Sequence, residues 1–227
     1  MTLRDEVLAP RTQLPDDVAA HLRDLIMSGQ VRAGEYLRLE QLAQRLGTSV
    51  TPVREALLAL RGEGFVVLQP HRGFVVSPLT RQDVADVFLV QSQLAGELAA
   101  RACRLMSEDA ITGLASAQLE IDAAHERGDL TGVDRLNHHF HRSINRSANA
   151  PKLALFLSSA TRYVPRLRFT EIAGWSQASV QDHPAVLQAL RDRDAEAARA
   201  AMVGHVTRSG EFLIEHLDAR GVWSEQD

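Results

Sequence analysis

Residues 42–64 read LAQRLGTSVTPVREALLALRGEG, and their spacing decides the fold. Val53, Leu57 and Leu60 recur at i, i+4 and i+7, which puts one apolar stripe on a helix, while Arg54 and Arg61 share the other side. A shorter helix, residues 39–46, precedes it, and Gly47 supplies the tight turn between the two. Ser49 or Thr51 can cap the longer helix, and Pro52 falls in its first turn, where a missing N–H is harmless. An arginine-bearing helix pressed onto a small support helix is the geometry of a major-groove reader.

Upstream, Pro15, Asp16 and Asp17 open a helix with the apolar stripe Val18, Leu22, Leu25 and Ile26, and Gly29 ends it. The segment VRAGEYL, residues 31–37, reads as a turn through Gly34. Downstream of Gly64 the period changes from helical to extended: FVVLQ, then PHRG, then FVVS make two short β-branched strands joined by a turn at Pro70 to Gly73. Alone this would be a generic β-ribbon; following the helix pair it is the wing of a winged helix-turn-helix, with His71 and Arg72 at its tip. The expected domain spans residues 14–78, after a loose arm over 1–13.

At 227 residues the chain suffices for one large domain or two modest ones, and 45% apolar with 24% charged residues is ordinary globular usage. The N-terminal MTLRDEVLAPR lacks the apolar stretch of a signal peptide, and no run approaches the roughly 18 apolar residues of a membrane helix. A soluble, cytoplasmic protein with no membrane contact is expected. Cys103 is the only cysteine, so an internal disulfide and a cysteine-based zinc site are excluded. The net charge is −4, and residues 1–78 carry nine arginines against nine acids, so overall charge does not argue for nucleic acid. Between Arg38 and Arg72 five arginines face three acids, a local +2. Lys152 is the sole lysine, so the arginine preference reflects composition.

From Thr80 onward every segment reads helical. Thr80 with Asp83 resembles a capping box opening a long helix to about Met106. Ser107, Asp129 and the pair Asn149 and Pro151 open the next three, the last running through Phe169. A fifth runs from about Ser176 to Arg193, and Asp194 caps a sixth ending near Gly221. Six helices with short connections imply an antiparallel bundle over residues 79–222, before a tail at 223–227. The fold class is therefore mainly α.

The stretch from VAAHLRDLIMSG to PHRGFVV, and within it TPVREAL followed by L-x-x-E-G-F-V, resembles the DNA-binding domain of GntR-family bacterial transcription regulators. The helical remainder is similar to the FCD ligand-binding domain of the FadR-like branch, and six helices instead of seven point to its VanR-like subgroup. The resemblance implies a homodimeric, ligand-responsive regulator, most often a repressor, that binds a palindromic double-stranded operator and is released by a small effector. It places Arg38, Arg45, Ser49, Val50, Thr51, Arg54, His71, Arg72 and Gly73 at the DNA. Arg54 is the strongest candidate for a base, since a guanidinium binds guanine O6 and N7 bidentately; the alternative is a salt bridge with Glu55 or an acid of the first helix. Val50 stands where the family usually carries arginine, so its operator does not transfer by analogy.

Asn137 and His141, at i and i+4, share one helix face. His183 lies eleven residues before Asp194 and His205 eleven after it, so a hairpin turning at Asp194 sets the two at matching height. In the FCD domain an aspartate and three histidines so spaced bind a divalent metal, which makes Asn137, His141, His183 and His205 the expected ligands. Zinc is foremost, with nickel or manganese as alternatives. Asn137 stands where the family usually has aspartate; a neutral amide would leave the ion its full charge and favour an anionic effector, an organic acid. The bland alternative is three hydrogen-bonded core histidines without metal. Arg162 and Arg166, near the end of the fourth helix, are candidates to hold an effector carboxylate bidentately, against the alternative of a solvated face.

Two rival functions differ in class. Three histidines could leave an open metal position for activated water, as in a metalloenzyme, but no general base or nucleophile motif accompanies them. An adaptor using the winged domain to bind protein fits the arginine-rich face less well.

Overall fold

The computed structural model describes residues 14–70, 72–163, 172 and 174–223, which divide into two compact units between Pro78 and Leu79. The arm over 1–13, His71, Arg166 and the rest of the segment after Tyr163 up to 171, and residues 224–227 of the tail lie outside the described residues.

In the first unit α1 (Leu14–Met27), α2 (Leu39–Arg45) and α3 (Val50–Gly62) precede β2 (Val66–Gln69) and β3 (Gly73–Val76). Val53, Leu57 and Leu60 of α3 are fully buried, and α3 packs on α1 and α2, where Leu22, Ile26 and Ala43 are buried as well. Ser49 occupies the N-cap of α3 but its side chain makes no cap hydrogen bond, so the first N–H groups of the helix have no side-chain cap. Gly47 lies at φ 63, in the left-handed region, as the tight turn requires. The sheet has a third strand, β1 (Tyr36–Leu37), which pairs antiparallel with β3 to give the order β1-β3-β2. The turn expected over residues 31–37 therefore ends in a strand too short for periodicity to register.

One ion pair fixes the unit from inside. Arg23 of α1 is buried and donates from Nε (3.0 Å) and Nη2 (2.7 Å) to Glu63 Oε2, with its guanidinium over the Phe65 ring. It joins α1 to the end of α3.

The second unit is built of α4 (Arg81–Leu105), α5 (Glu108–Glu126), α6 (Leu130–Ser147), α7 (Pro151–Ala160), α8 (Trp175–Arg191) and α9 (Ala195–Ala219), with a 3-10 turn at Thr161–Tyr163. The Thr80–Asp83 capping box is present, and Ser107, Asp129 and Asp194 each cap the following helix through a side-chain oxygen. The fourth bundle helix ends at Ala160, earlier than the expected Phe169. α4 and α9 lie close because Gly96 faces Val203 and Gly210 faces Phe88, where any Cβ would collide. Their shared core includes Leu98, Ile121, Phe140, Ile144, Val186, Leu190 and Met202, all nearly inaccessible. Among the described residues no helix is long and apolar enough to cross a membrane.

Candidate metal centre and DNA-reading face

α6, α8 and α9 each deliver one imidazole to a common point in the bundle: the ligand atoms of His141, His183 and His205 all lie within 4.8 Å of one another. Phe140, the neighbour of His141, stacks flat on His183 at 4.0 Å between centroids and holds that ring in the core. His183 is fully buried and His205 nearly so.

Hydrogen bonds fix how each ring is oriented. Gln118 of α5 donates from Nε2 to Asp122 Oδ1 at 2.7 Å; a carboxylate accepts, so the Gln118 Oε1 must be the atom 2.8 Å from His183 Nδ1. His183 Nδ1 therefore donates, and its lone pair is on Nε2, which is buried with no hydrogen-bond partner among the described residues. On α9, His205 Nδ1 lies 3.3 Å from Asp182 Oδ2, and Arg208 donates to the other oxygen of that carboxylate at 2.8 Å. His205 Nε2 in turn lies 3.1 Å from His141 Nε2.

This donor set fits a divalent ion. A tetrahedral zinc about 2.0–2.1 Å from each nitrogen would set ligand nitrogens roughly 3.3 Å apart, close to the His141–His205 spacing. An isolated buried acceptor such as His183 Nε2 costs stability unless something binds it. Gln118 and Asp182 stand where partners of metal-bound histidines stand, on the second ring nitrogen.

Asn137 is half-buried on the same face of α6, with its Oδ1 accepting from Ser179 Oγ at 3.1 Å. Arg162, in the 3-10 turn after α7, is exposed and donates to Ser159 Oγ near the end of α7, and among the described residues no hydrogen bond brings it to the histidines. Sequence reading missed Gln118, Ser179, Asp182 and Arg208. Asp182 adjoins His183 and Arg208 follows His205 by three residues, so both carried a local signal; Gln118, on a separate helix, carried none.

Burial pushes His141 down to about 3, with the His205 and His138 imidazoles adding to the effect, and burial followed by His141 and His205 pushes His183 well below its ordinary range. Both remain neutral when folded but take up protons when unfolded, so the unfolded state binds more protons as pH falls below about 6.5. Metal-free protein is accordingly expected to lose stability from pH 7 toward acid, by about 1.4 kcal/mol per pH unit for each histidine withheld from protonation. Urea midpoints at pH 7.5 and 5.5 in chelator check this; equal midpoints would contradict it.

In the first unit Arg38, Arg45, Ser49, Thr51, Arg54 and Arg72 are all exposed, and Val50 and Gly73 half-exposed. Arg54 forms no salt bridge with Glu55 or with α1 among the described residues; the acid near α1 is Glu63, and Arg23 holds it. Arg72 rests its Nη1 3.4 Å from Tyr36 Oη, which donates to Gln69, tying the base of the wing to β1.

A winged helix-turn-helix joined to a helical bundle with a convergent histidine cluster defines a ligand-responsive DNA-binding transcription regulator. The profile described as bacterial regulatory proteins of the gntR family matches residues 3–76, and that of the FCD domain matches residues 86–208. The chain belongs to the GntR family, with a C-terminal FCD domain. It is 30% identical to the "Probable D-xylose utilization operon transcriptional repressor" of Paenarthrobacter nicotinovorans, over 83% of this chain and 85% of that one. With the "HTH-type transcriptional repressor RspR" of Escherichia coli it shares 22% identity over 97% of each. The solved structure of E. coli McbR/YncC superposes with a TM-score of 0.67 at 22% identity, covering 90% of this chain and 98% of that one. The metalloenzyme and adaptor readings fall with this membership: the family's members are regulators, not enzymes.

Proposed function

We propose that this regulator is a homodimeric repressor whose operator affinity falls when an organic acid binds beside a divalent metal held by His141, His183 and His205. The observation that carries the reading is the buried, unpartnered Nε2 of His183 facing two further imidazoles. Zinc suits an all-imidazole set best, with nickel or manganese as alternatives, and Asn137 could add its amide oxygen. When bound, the ion would supply positive charge and open coordination positions for carboxylate oxygens. The chain's own part is to orient the rings: Gln118 and Asp182 hold the Nδ1 protons, so that Nε2 of His183 and of His205 face inward.

At the DNA, the uncapped start of α3 would receive a phosphate, with Ser49 and Thr51 beside it, and Arg54 would reach a base. Arg38 and Arg45 would follow the backbone, His71, Arg72 and Gly73 of the wing would reach the minor groove, and Val50 would offer an apolar contact to a thymine methyl. Two copies are needed for two half-sites one turn apart. Effector shifts the dimer between spacings by its differential affinity for them.

Exposed large apolar residues support the homodimer. Leu89 and Val90 of α4 and Leu155 and Phe156 of α7 are each more than half exposed, on two helices that pack together. Phe156→Glu is expected to convert a dimer to monomers in sedimentation; an unchanged mass would place the interface elsewhere. The reading as a whole is tested by gel shift on the DNA upstream of the regulator's own gene, with and without candidate acids. Retardation relieved by an acid only in metal-loaded protein is the expected outcome, and acid relief that persists after chelation would contradict it.

A further inference from the structure

We propose that the outer face of α6, with the facing turns of α5, is a second ligand site, separate from the histidine centre, for a phosphate-bearing anion of at least two negative charges. Arg135, His138, His139, Arg142 and Arg146 recur at i, i+3, i+4, i+7 and i+11, so they share one helix face, and all five are exposed. They border two adjoining cavities of about 470 and 330 Å³ that have Gly113 and His139 in common. Among the described residues, Glu120 is the only acid in either wall.

Composition does not account for this stripe. Residues 79–227 hold sixteen basic and twenty acidic side chains, so a cation there has acids to spare. Arg81, Arg101, Arg193, Arg199 and Arg208 each hold a carboxylate. Arg135, Arg142 and Arg146 hold none among the described residues, and neither do Arg104, Arg127, Lys152, Arg162, Arg191 and Arg220; what sets the first three apart is that they line the two cavities together.

The floor is a second, independent observation. Gly113 lies in the interior of α5, where glycine weakens a helix relative to alanine. Gly96 and Gly210 are explained by neighbours that a Cβ would strike; a Cβ on Gly113, like one on Gly204 of α9, would meet nothing within 4 Å, and Gly113 lines both cavities. The missing side chain leaves the groove deep at the point the two cavities share.

Spacing and chemistry select the ligand. Arg135 and Arg142 lie about 10 Å apart along the axis, and Arg142 and Arg146 about 6 Å, so successive forks can engage successive anionic groups. A phosphoryl group offers three strong acceptor oxygens to guanidinium forks, and Ser116 adds a hydroxyl to the wall. Exposed ion pairs are individually weak, so a singly charged ligand would not be held.

Calorimetric titration of full-length, chelator-treated protein with pyrophosphate at low ionic strength tests the site. We expect saturable binding that the Arg135→Ala/Arg142→Ala double variant weakens at least tenfold and Gly113→Leu, which keeps every cation but fills the groove, at least fivefold. His183→Phe should leave it unchanged. The proposal is overturned if wild type binds no better than the double variant, if Gly113→Leu has no effect, or if His183→Phe abolishes binding. It is equally overturned if the double variant loses affinity only for random-sequence duplex DNA, which would assign the stripe to the nucleic-acid backbone.

Discussion

Replacing His183 by phenylalanine is expected to lower zinc affinity on the order of a thousandfold, beyond the roughly ten- to hundredfold typical of residues that only orient a ligand. Phenylalanine preserves the ring and its stack on Phe140, so the bundle stays folded while Nε2 is lost. Asp182→Asn provides the contrast: the carboxylate lies against the Nδ1 side of His205, with Arg208 on its other oxygen, so the change should cost about ten- to hundredfold. Competition against a chromophoric chelator reads both, with circular dichroism as the folding control. Equal affinities for wild type and His183→Phe would mean that the three imidazoles are core residues and not ligands.

The second large effect falls on DNA. Arg54→Ala should reduce specific operator affinity about 5- to 150-fold, the equivalent of one bidentate base contact, and relax the preference at a single base pair. Because Arg54 is exposed and forms no ion pair among the described residues, its removal should leave stability within about 0.5 kcal/mol. Anisotropy at one fixed salt concentration, on operator and on scrambled duplex, separates base from backbone contact. A loss equal on both DNAs would reassign Arg54 to a phosphate.

Much of this architecture is legible in the sequence. The 3.6-residue stripe of Val53, Leu57 and Leu60 and the glycine at 47 mark the helix pair, because burial and positive φ leave few other solutions. Helix starts at Thr80, Ser107, Asp129 and Asp194 were readable because capping is local chemistry. The convergence of His183 and His205 followed from their equal distance to the Asp194 turn. What could not be read was non-local or very short. β1 is two residues long, the Arg23–Glu63 pair joins residues forty apart in the chain, and Gln118 reaches His183 only through packing of α5 on α8. Arg162 donates to Ser159 Oγ, and its role toward an effector carboxylate stays a proposal.

The central claim is that the histidine centre and the DNA-reading helix are coupled. Coupling between two binding equilibria is reciprocal, so it can be read from the effector side alone. The decisive measurement is titration of metal-loaded protein with a relieving acid, once free and once saturated with operator. The account predicts that operator weakens acid binding by the same factor by which acid weakens operator binding, typically about 5- to 150-fold, and that His183→Phe removes the difference. Identical acid affinity with and without operator would contradict it.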